Sequence, residues 1–184
     1  MRIAFNTWDI EFHSHACIED IEARFAKRNQ PLVVLDASGG YARQFYSLEF
    51  RPQIKSPDSK QVSVALHSSR LGIEPQLLPN PANGFLYVGI DSSVFIFNVP
   101  NLPAKRLNLT SPFYWMTHFA SQGGILIAYE TGLLWMNIDG DTIWQHSVDD
   151  IITGASLPSH DMIEVTLLEG GSAKLDLKSG DLLR

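Results

Sequence analysis

The chain has 184 residues, of which 45% are hydrophobic and 18% are charged, a composition typical of a folded soluble domain and not of a disordered or membrane-embedded chain. This length favours a single domain, residues 1–184. Fourteen basic and twenty acidic side chains give a formal net charge of −6, which opposes binding to nucleic acid and favours a partner protein with a basic surface.

Cys17 is the single cysteine, so no disulfide can form within the chain. The first residues lack the basic stretch and apolar segment of a secretory signal. No window approaches the run of about 18 apolar residues that a transmembrane helix needs. The sequence therefore predicts a cytoplasmic protein that binds neither nucleic acid nor a membrane.

Near the N-terminus, the segment HSHAC places His13, His15 and Cys17 at alternate positions. Alternate side chains of an extended strand share one face, so these three could bind zinc or support a ligand-binding or hydrolytic site. No fourth ligand is evident nearby, and the thiol of Cys17 would need a partner base to act as a nucleophile. The sequence favours a junction between a strand and a helix, with no metal and no cofactor.

A helix is predicted over about residues 18–28. Ile18, Ile21 and Phe25 have helical spacing, with acidic residues early and basic residues late in the segment, which suits the helix dipole. This helix could cover an open edge of a sheet.

The rest of the N-terminal part, residues 1–83, is predicted to contain strands and a degenerate repeat. LVVLDASGG, which ends at Gly40, has the form of a strand followed by a turn. Residues 51–60 are predicted to be a polar loop.

Residues 84–184 contain a repeat of about 39 residues. Three segments align without a gap: GFLYVGIDSSVFIFNV from Gly84, GGILIAYETGLLWMNI from Gly123 and MIEVTLLEGGSAKLDL from Met162. Each contains an acidic residue followed by small residues, which predicts hairpin turns at Ser92, Thr131 and Gly170.

The strand after each turn has apolar residues at alternate positions, which excludes a helix. One of its columns is predicted to be buried, namely Phe97, Met136 and Leu175. The column beside it varies from apolar to charged and is predicted to face outward or lie at an edge, namely Ile96, Trp135 and Lys174.

Further turn signals and a short apolar stretch follow each hairpin, which predicts a third strand. Segments 111–119 and 151–157 are expected to supply a fourth. One unit of four short antiparallel strands has the size of a β-propeller blade. The predicted fold is therefore mainly β, with antiparallel β-meander repeats that are open or reduced, and with one N-terminal helix.

The segments GILIAYETGLLWMNIDGDTIWQ and IEVTLLEGGSAKLDLKSGDLLR resemble the pyrroloquinoline-quinone-type propeller repeat. The residues that match its turns and closing tryptophan are Asn137, Gly140 and Trp144 in the second unit and Asp176 and Gly180 in the third. LVVLDASGG resembles the same strand and turn. The resemblance implies a propeller-type fold, although propellers close with about four to eight blades and this chain has too few units for a complete one.

Aromatic residues are concentrated in one predicted strand, SPFYWMTHF, residues 111–119. Consecutive side chains of a strand point to opposite faces, so not all of them can enter one core. Together with aromatic residues of the next hairpin they could form an exposed patch that binds a partner protein. The candidate partner-binding residues are Tyr114, Trp115, Tyr129 and Trp135. The alternative is a sheet covered on both faces.

No nucleotide-binding, metalloprotease or serine-hydrolase motif occurs in the sequence. The sequence therefore predicts a non-catalytic protein-binding scaffold and not an enzyme. A small, acidic chain of this kind has the profile of an immunity or antitoxin-type protein, which covers the active site of its partner. Two alternatives stay open: a ligand-binding or hydrolytic domain with a site at the N-terminal His and Cys residues, and a subunit of an oligomeric propeller-like assembly.

Overall fold

A computed structural model of the chain describes residues 1–27, 32–54, 61–69, 74–80, 84–99 and 105–183. Within these ranges the chain forms four β-sheets, one α-helix and one 3-10 turn, which confirms the predicted mainly β fold with an N-terminal helix. The last predicted helical residue, Arg28, and residues 55–60 of the predicted polar loop lie outside the described ranges. No helix of the described residues has the length and hydropathy to cross a membrane.

Sheet 1 is formed by the N-terminal part of the chain. Its strands are β1 (Arg2–Phe5), β2 (Trp8–His15), β3 (Leu32–Asp36), β4 (Gln44–Pro52) and β5 (Val62–Ser68), in the order β1-β2-β4-β5-β3. Helix α1 (Ile18–Ala26) follows β2 and precedes β3. Strand β3 pairs in parallel with β5 at the edge of the sheet. The segment LVVLDASGG therefore does not form a further antiparallel repeat unit, because its strand does not pair with the strand that follows it.

The other three sheets are meanders of consecutive antiparallel strands. Sheet 2 contains β6 (Gln76–Asn80), β7 (Phe85–Ile90), β8 (Ser93–Asn98) and β9 (Lys105–Asn108). Sheet 3 contains β10 (Phe113–Phe119), β11 (Gly124–Tyr129), β12 (Gly132–Asn137) and β13 (Thr142–Ser147), with the 3-10 turn Ala120–Gln122 between its first two strands. Sheet 4 contains β14 (Ile152–Ser159), β15 (Met162–Leu167) and β16 (Ser172–Asp176).

The 39-residue spacing recurs in the backbone hydrogen bonds. The amide of Phe113 donates to the carbonyl of Asp91 at 2.6 Å, and the amide of Ile152 donates to the carbonyl of Glu130 at 3.0 Å. The predicted two-residue turns join the hairpins of sheets 2 and 3. Segments 111–119 and 151–157, predicted to be the fourth strand of a unit, do form strands, β10 and β14. Each of them pairs with the next strand along the chain, so it is the first strand of the following sheet and not the last strand of the preceding one.

The third repeat departs from the other two by one residue. Met162 pairs with Asp176, whereas a shift of 39 residues from the register of sheet 3 would pair Ile163 with Asp176. The loop between β15 and β16, residues 168–171, is longer than the two-residue turns and absorbs this difference. The predicted turn residue Gly170 lies in this loop, where its φ of +87° suits glycine.

The four sheets stack face to face in chain order, with an apolar layer at each junction. The residues at the centres of these layers include Leu48 and Val88 between sheets 1 and 2, Tyr87 and Ile127 between sheets 2 and 3, and Leu126 and Val165 between sheets 3 and 4. Sheets 2 and 3 are therefore covered on both faces.

Burial of the repeat columns follows from this stacking. The predicted burial of one column is confirmed: at most 1% of each residue is exposed in Phe97, Met136 and Leu175. The prediction of an outward column is wrong for Ile96 and Trp135, which are 3% and 6% exposed, because the second face of each inner sheet packs against its neighbour. Lys174 belongs to the last sheet and is exposed.

The two ends of the stack are covered differently. Helix α1 places Ile21 and Phe25 against Ala65 on the outer face of sheet 1, so it covers a face of the sheet and not the predicted edge. The outer face of sheet 4 is polar, with Glu164 and Lys174 opposite each other at 3.8 Å. In the described part of the chain, the buried clusters join only consecutive sheets, so the stack is open.

Candidate interaction surface

Polar side chains collect on the outer face of sheet 1, beside α1. Because successive residues of a strand alternate between faces, β2 and β4 place seven polar side chains there: Asp9, Glu11, His13, His15, Ser47, Glu49 and Arg51. The prediction that the two histidines share a face is confirmed, with ring centroids 6.3 Å apart. Cys17 lies beyond this face as the N-cap residue of α1.

Glu49 is at the centre of an ion-pair network that joins the sheet to the helix. Its buried carboxylate lies 2.5 Å from the guanidinium of Arg24 on α1 and 2.5 Å from that of Arg51. Arg51 also contacts Glu11 at 3.0 Å, and Arg24 donates to Nε2 of His13 at 3.1 Å. Both carboxylates therefore have arginine partners, and the network anchors the helix to the sheet.

The only group of metal-ligating side chains with its ligand atoms close together, as far as the described residues go, is Glu11, His13 and Glu49, within 4.8 Å of one another. This group does not include His15 or Cys17, so the structure does not assemble the trio suggested by the sequence. A metal ion here would have to displace the arginines that neutralise the two carboxylates.

His15 and Ser47 form a hydrogen bond of 2.8 Å between Nε2 and Oγ, a pairing of a base and a hydroxyl. Ser47 is fully buried, so a substrate cannot reach its oxygen. Burial and the positive charge of Arg24 hold the pKa of His15 below its ordinary value of 6.5. A hydrogen bond to the Glu19 carboxylate raises the pKa of the Cys17 thiol, which lowers its thiolate fraction. These contacts weaken the hydrolytic alternative.

The four aromatic candidates divide into two buried and two half-buried side chains. Tyr129 is fully buried. Trp135 is 6% exposed, and its ring packs directly on Gly124. A Cβ added to Gly124 would lie 2.2 Å from the nearest atom of the Trp135 ring. The expected exposure of these two residues is wrong, because sheet 3 is covered on both faces, although Trp135 still lines a cleft at the junction with sheet 4. Tyr114 and Trp115 are half-buried on β10, and their role in partner binding stays a prediction.

Residues of the repeat pattern form joints between neighbouring sheets. The indole Nε1 of Trp144 on sheet 3 donates to the carbonyl of Leu177 at 2.7 Å. Its ring lies on Gly180, where an added Cβ would be 2.6 Å from the nearest ring atom. At the equivalent position 39 residues earlier, Nζ of Lys105 donates to the carbonyl of Gly140 at 2.8 Å. Each of these joints is a contact between the last strand of one sheet, β9 or β13, and the turn that precedes or follows the last strand of the next sheet.

The junction of sheets 3 and 4 opens at one end of its strands into a groove. Two adjoining clefts, of about 550 and 300 Å³, share Gln122 and His160, whose side chains are hydrogen-bonded at 3.2 Å. We call this surface the aromatic groove, and its principal lining residues are Phe119, Gln122, Trp135, Ile143, His160 and Leu177. The rings of Phe119 and Trp135 lie 5.9 Å apart, and Ile143 is 53% exposed.

The opposite ends of the same strands form a smaller cleft, of about 210 Å³. We call it the acidic cleft, and its principal lining residues are Val148, Asp149, Asp150, Leu167, Ala173 and Leu182. The Asp150 carboxylate accepts hydrogen bonds from the amides of Ile151 at 2.6 Å and Glu169 at 3.0 Å. Glu169 is exposed, so three carboxylates belong to this end of the junction.

No motif includes Ile143, His160 or Leu182, so the sequence alone does not mark them as surface residues. A usable signal is the distribution of charge. Residues 105–184 carry ten acidic and five basic side chains, so most of the net charge of −6 lies in the part of the chain that forms these two clefts.

No family model and no curated protein match the sequence. Among solved structures, dihydro-heme d1 dehydrogenase NirN in complex with DHE is similar with a TM-score of 0.51 and 12% identity, over 79% of this chain and 34% of that one. HIRA(644-1017) has a TM-score of 0.49 and 10% identity, over 100% of this chain and 54% of that one. The WD40 beta propeller domain of Doa1 has a TM-score of 0.44 and 12% identity, over 83% and 53% of the two chains.

The chain thus spans about a third to a half of the length of these proteins. Identities near one residue in ten carry information about the fold alone. The likeness supports a propeller-like fold, and the resemblance to the pyrroloquinoline-quinone-type repeat stays a prediction. The observed topology and the structural similarity together describe the chain as an open stack of four propeller-like sheets.

Proposed function

We propose that the protein is a non-catalytic scaffold that binds a partner protein along the junction of sheets 3 and 4. The observation that carries this proposal is the aromatic groove. It is open to solvent, it has an apolar lining that includes Phe119 and Trp135, and hydrogen-bonding side chains stand at its margin. An apolar centre with a polar rim is the usual anatomy of a protein interface.

The alternative site near His13, His15 and Cys17 has weaker support. A reactive site needs accessible groups with altered pKa values beside a cavity. Here the carboxylates are held by arginines, and the Ser47 hydroxyl is buried. These groups hold the helix on the sheet and leave little for a substrate to contact.

The alternative of an oligomeric propeller-like assembly also has weaker support. A ring completed by further copies would need a sheet face free to pack at each end of the stack. One end is covered by α1, and the outer face of sheet 4 is polar.

A more specific form of the proposal concerns the partner. A small, acidic, non-catalytic chain suits the role of an immunity or antitoxin-type neutraliser, which acts in the cytoplasm by covering the active face of a protein with a basic surface. Its support is the net charge of −6, most of which residues 105–184 carry, and the carboxylates of Asp149 and Asp150 in the lining of the acidic cleft. Stoichiometric loss of the partner's activity on addition of the protein is the expected result.

The matched substitutions Ile143→Asp and Ile54→Asp test the proposed surface. Both isoleucines are exposed, by 53% and 75%, so both variants should fold with unchanged melting temperatures. Ile143 lines the aromatic groove, whereas Ile54 follows β4 on sheet 1. A partner captured from the source organism on the immobilised protein should bind Ile143→Asp roughly thirtyfold more weakly, a loss of about 2 kcal/mol, because a charge replaces an apolar contact.

Binding to Ile54→Asp should equal that of the wild type. Calorimetric titration of the purified partner gives the dissociation constants. Equal binding by both variants would place the interface elsewhere, and a loss confined to Ile54→Asp would move it to sheet 1.

A further inference from the structure

We infer that the acidic cleft binds an extended segment of the partner that carries lysine or arginine on both sides of one aliphatic side chain. This inference rests on the proposed function and names the chemistry of the partner segment. The acidic cleft and the aromatic groove lie at opposite ends of the strands of sheets 3 and 4, so the two surfaces can be altered independently.

The apolar lining provides the place for the aliphatic side chain. Val148, Leu167 and Ala173 are half-buried around the cleft. Leu182 in its lining is 56% exposed, and the neighbouring Leu168 is 60% exposed. Apolar surface of this kind is removed from water when a partner covers it, which favours binding.

The size of the cleft indicates how much of the partner enters it. Its volume of about 210 Å³ is below the roughly 300–1,000 Å³ of typical small-molecule sites. It suits the insertion of one aliphatic side chain from a segment that continues over the surface on either side.

Charge complementarity makes the flanking residues of that segment basic. Segments 145–151 and 167–173, which line the cleft together with Leu182, contain no lysine or arginine and carry the carboxylates of Asp149, Asp150 and Glu169. Lys174 and Asp181, which adjoin the lining residues Ala173 and Leu182 in the sequence, have opposite charges and leave this excess in place. Two backbone amides hold the carboxylate of Asp150 in place, so its negative charge stays at the cleft. A basic segment gains from these charges, and an acidic one is repelled.

The aromatic groove differs in this respect. Its margin includes Lys178 and Asp161 together with His160, so its charges are mixed. The acidic cleft is therefore the part of the junction that selects a cationic segment.

A pair of labelled peptides tests this inference on the whole chain. The probes are Lys-Leu-Lys-Leu-Lys and Glu-Leu-Glu-Leu-Glu, both blocked at their ends and measured by fluorescence anisotropy. The wild type should bind the lysine peptide and not the glutamate peptide, and the affinity should fall as the salt concentration rises. The double variant Asp149→Asn and Glu169→Gln should bind the lysine peptide about five- to tenfold more weakly.

The control is the double variant Glu22→Gln and Asp139→Asn, which removes two exposed charges from α1 and from the turn after β12, away from both clefts. It should bind the lysine peptide within about twofold of the wild type, because the change in net charge is the same but the cleft is intact. Equal weakening by the two double variants would overturn the inference, since only diffuse attraction would remain. Absence of lysine-peptide binding to the wild type would overturn it too.

These outcomes are distinct from a failure of the proposed function. If the captured partner depends on Ile143 but the lysine peptide does not bind, the inference fails and the proposed function stands. If the peptide binds as expected but no protein partner depends on the junction, the proposed function fails.

Discussion

At the residue scale, His15 links the stability of the fold to pH. Partial burial and the positive charge of Arg24 hold its pKa below 6.5 in the folded chain, whereas the unfolded chain leaves it near that ordinary value. Between these two values the unfolded state binds more protons, so acidification favours unfolding. The contribution of His15 to the free energy of unfolding should be constant above about pH 6.5 and should decrease as the pH falls below it.

The variant His15→Gln separates this effect from other titrations. Glutamine keeps an amide that can bond to Ser47 but does not titrate. Urea denaturation of both proteins between about pH 7.5 and 5 should give a stability difference that is constant above about pH 6.5 and moves in favour of the variant below it. A difference that does not change with pH would mean that His15 has the same pKa in the folded and unfolded chains.

The same residue shows what the sequence could and could not predict about the N-terminal cluster. The shared face of His13 and His15 follows from the period of a strand, which is local information. Their contacts with Arg24, Ser47 and Glu49 come from a helix and a strand that are brought together only by folding. The pattern HSHAC therefore indicated the face correctly, but it gave no information about the side chains opposite.

At the scale of strands and sheets, the repeat spacing predicted the hairpins because turn residues and alternating apolar residues are local signals. Burial of the second face was not predicted, because it depends on the order in which sheets stack. The column of Ile96, Trp135 and Lys174 varies for this reason: the first two belong to inner sheets and the third to the last one. Long apolar stretches in both inner hairpins are the sequence signal of a sheet covered on both faces.

The joints between sheets give a prediction at this scale. Trp144→Phe removes the donor to the Leu177 carbonyl and leaves a space beside Gly180, so the free energy of unfolding should fall by about 1–3 kcal/mol. Lys105→Ala, at the position 39 residues before Trp144, removes the contacts with the Gly140 carbonyl and Asp141, but Lys105 is largely exposed, so the loss should be below about 1 kcal/mol.

Chemical denaturation of both variants measures the two losses. Equal losses, or a larger loss for Lys105→Ala, would show that the buried indole joint does not stabilise the stack as described.

At the scale of the whole molecule, the contacts that stabilise the open stack and the surface proposed to bind a partner lie in different places. The N-terminal end is covered by α1, and the described buried layers hold consecutive sheets together. Most of the net negative charge and both clefts lie in the last two sheets. A partner that covers this part would leave the polar cluster of sheet 1 untouched, which is the central claim of the proposed function.

Hydrogen exchange of the protein, alone and bound to the captured partner, tests this claim most directly. The partner should slow exchange in the segments that form the two clefts, namely residues 119–123, 145–151, 157–161 and 167–173. Exchange in α1 and β2 should not change. Slower exchange confined to α1 and β2, with the junction of sheets 3 and 4 unaffected, would contradict the proposed function and place the interface at the N-terminal histidines.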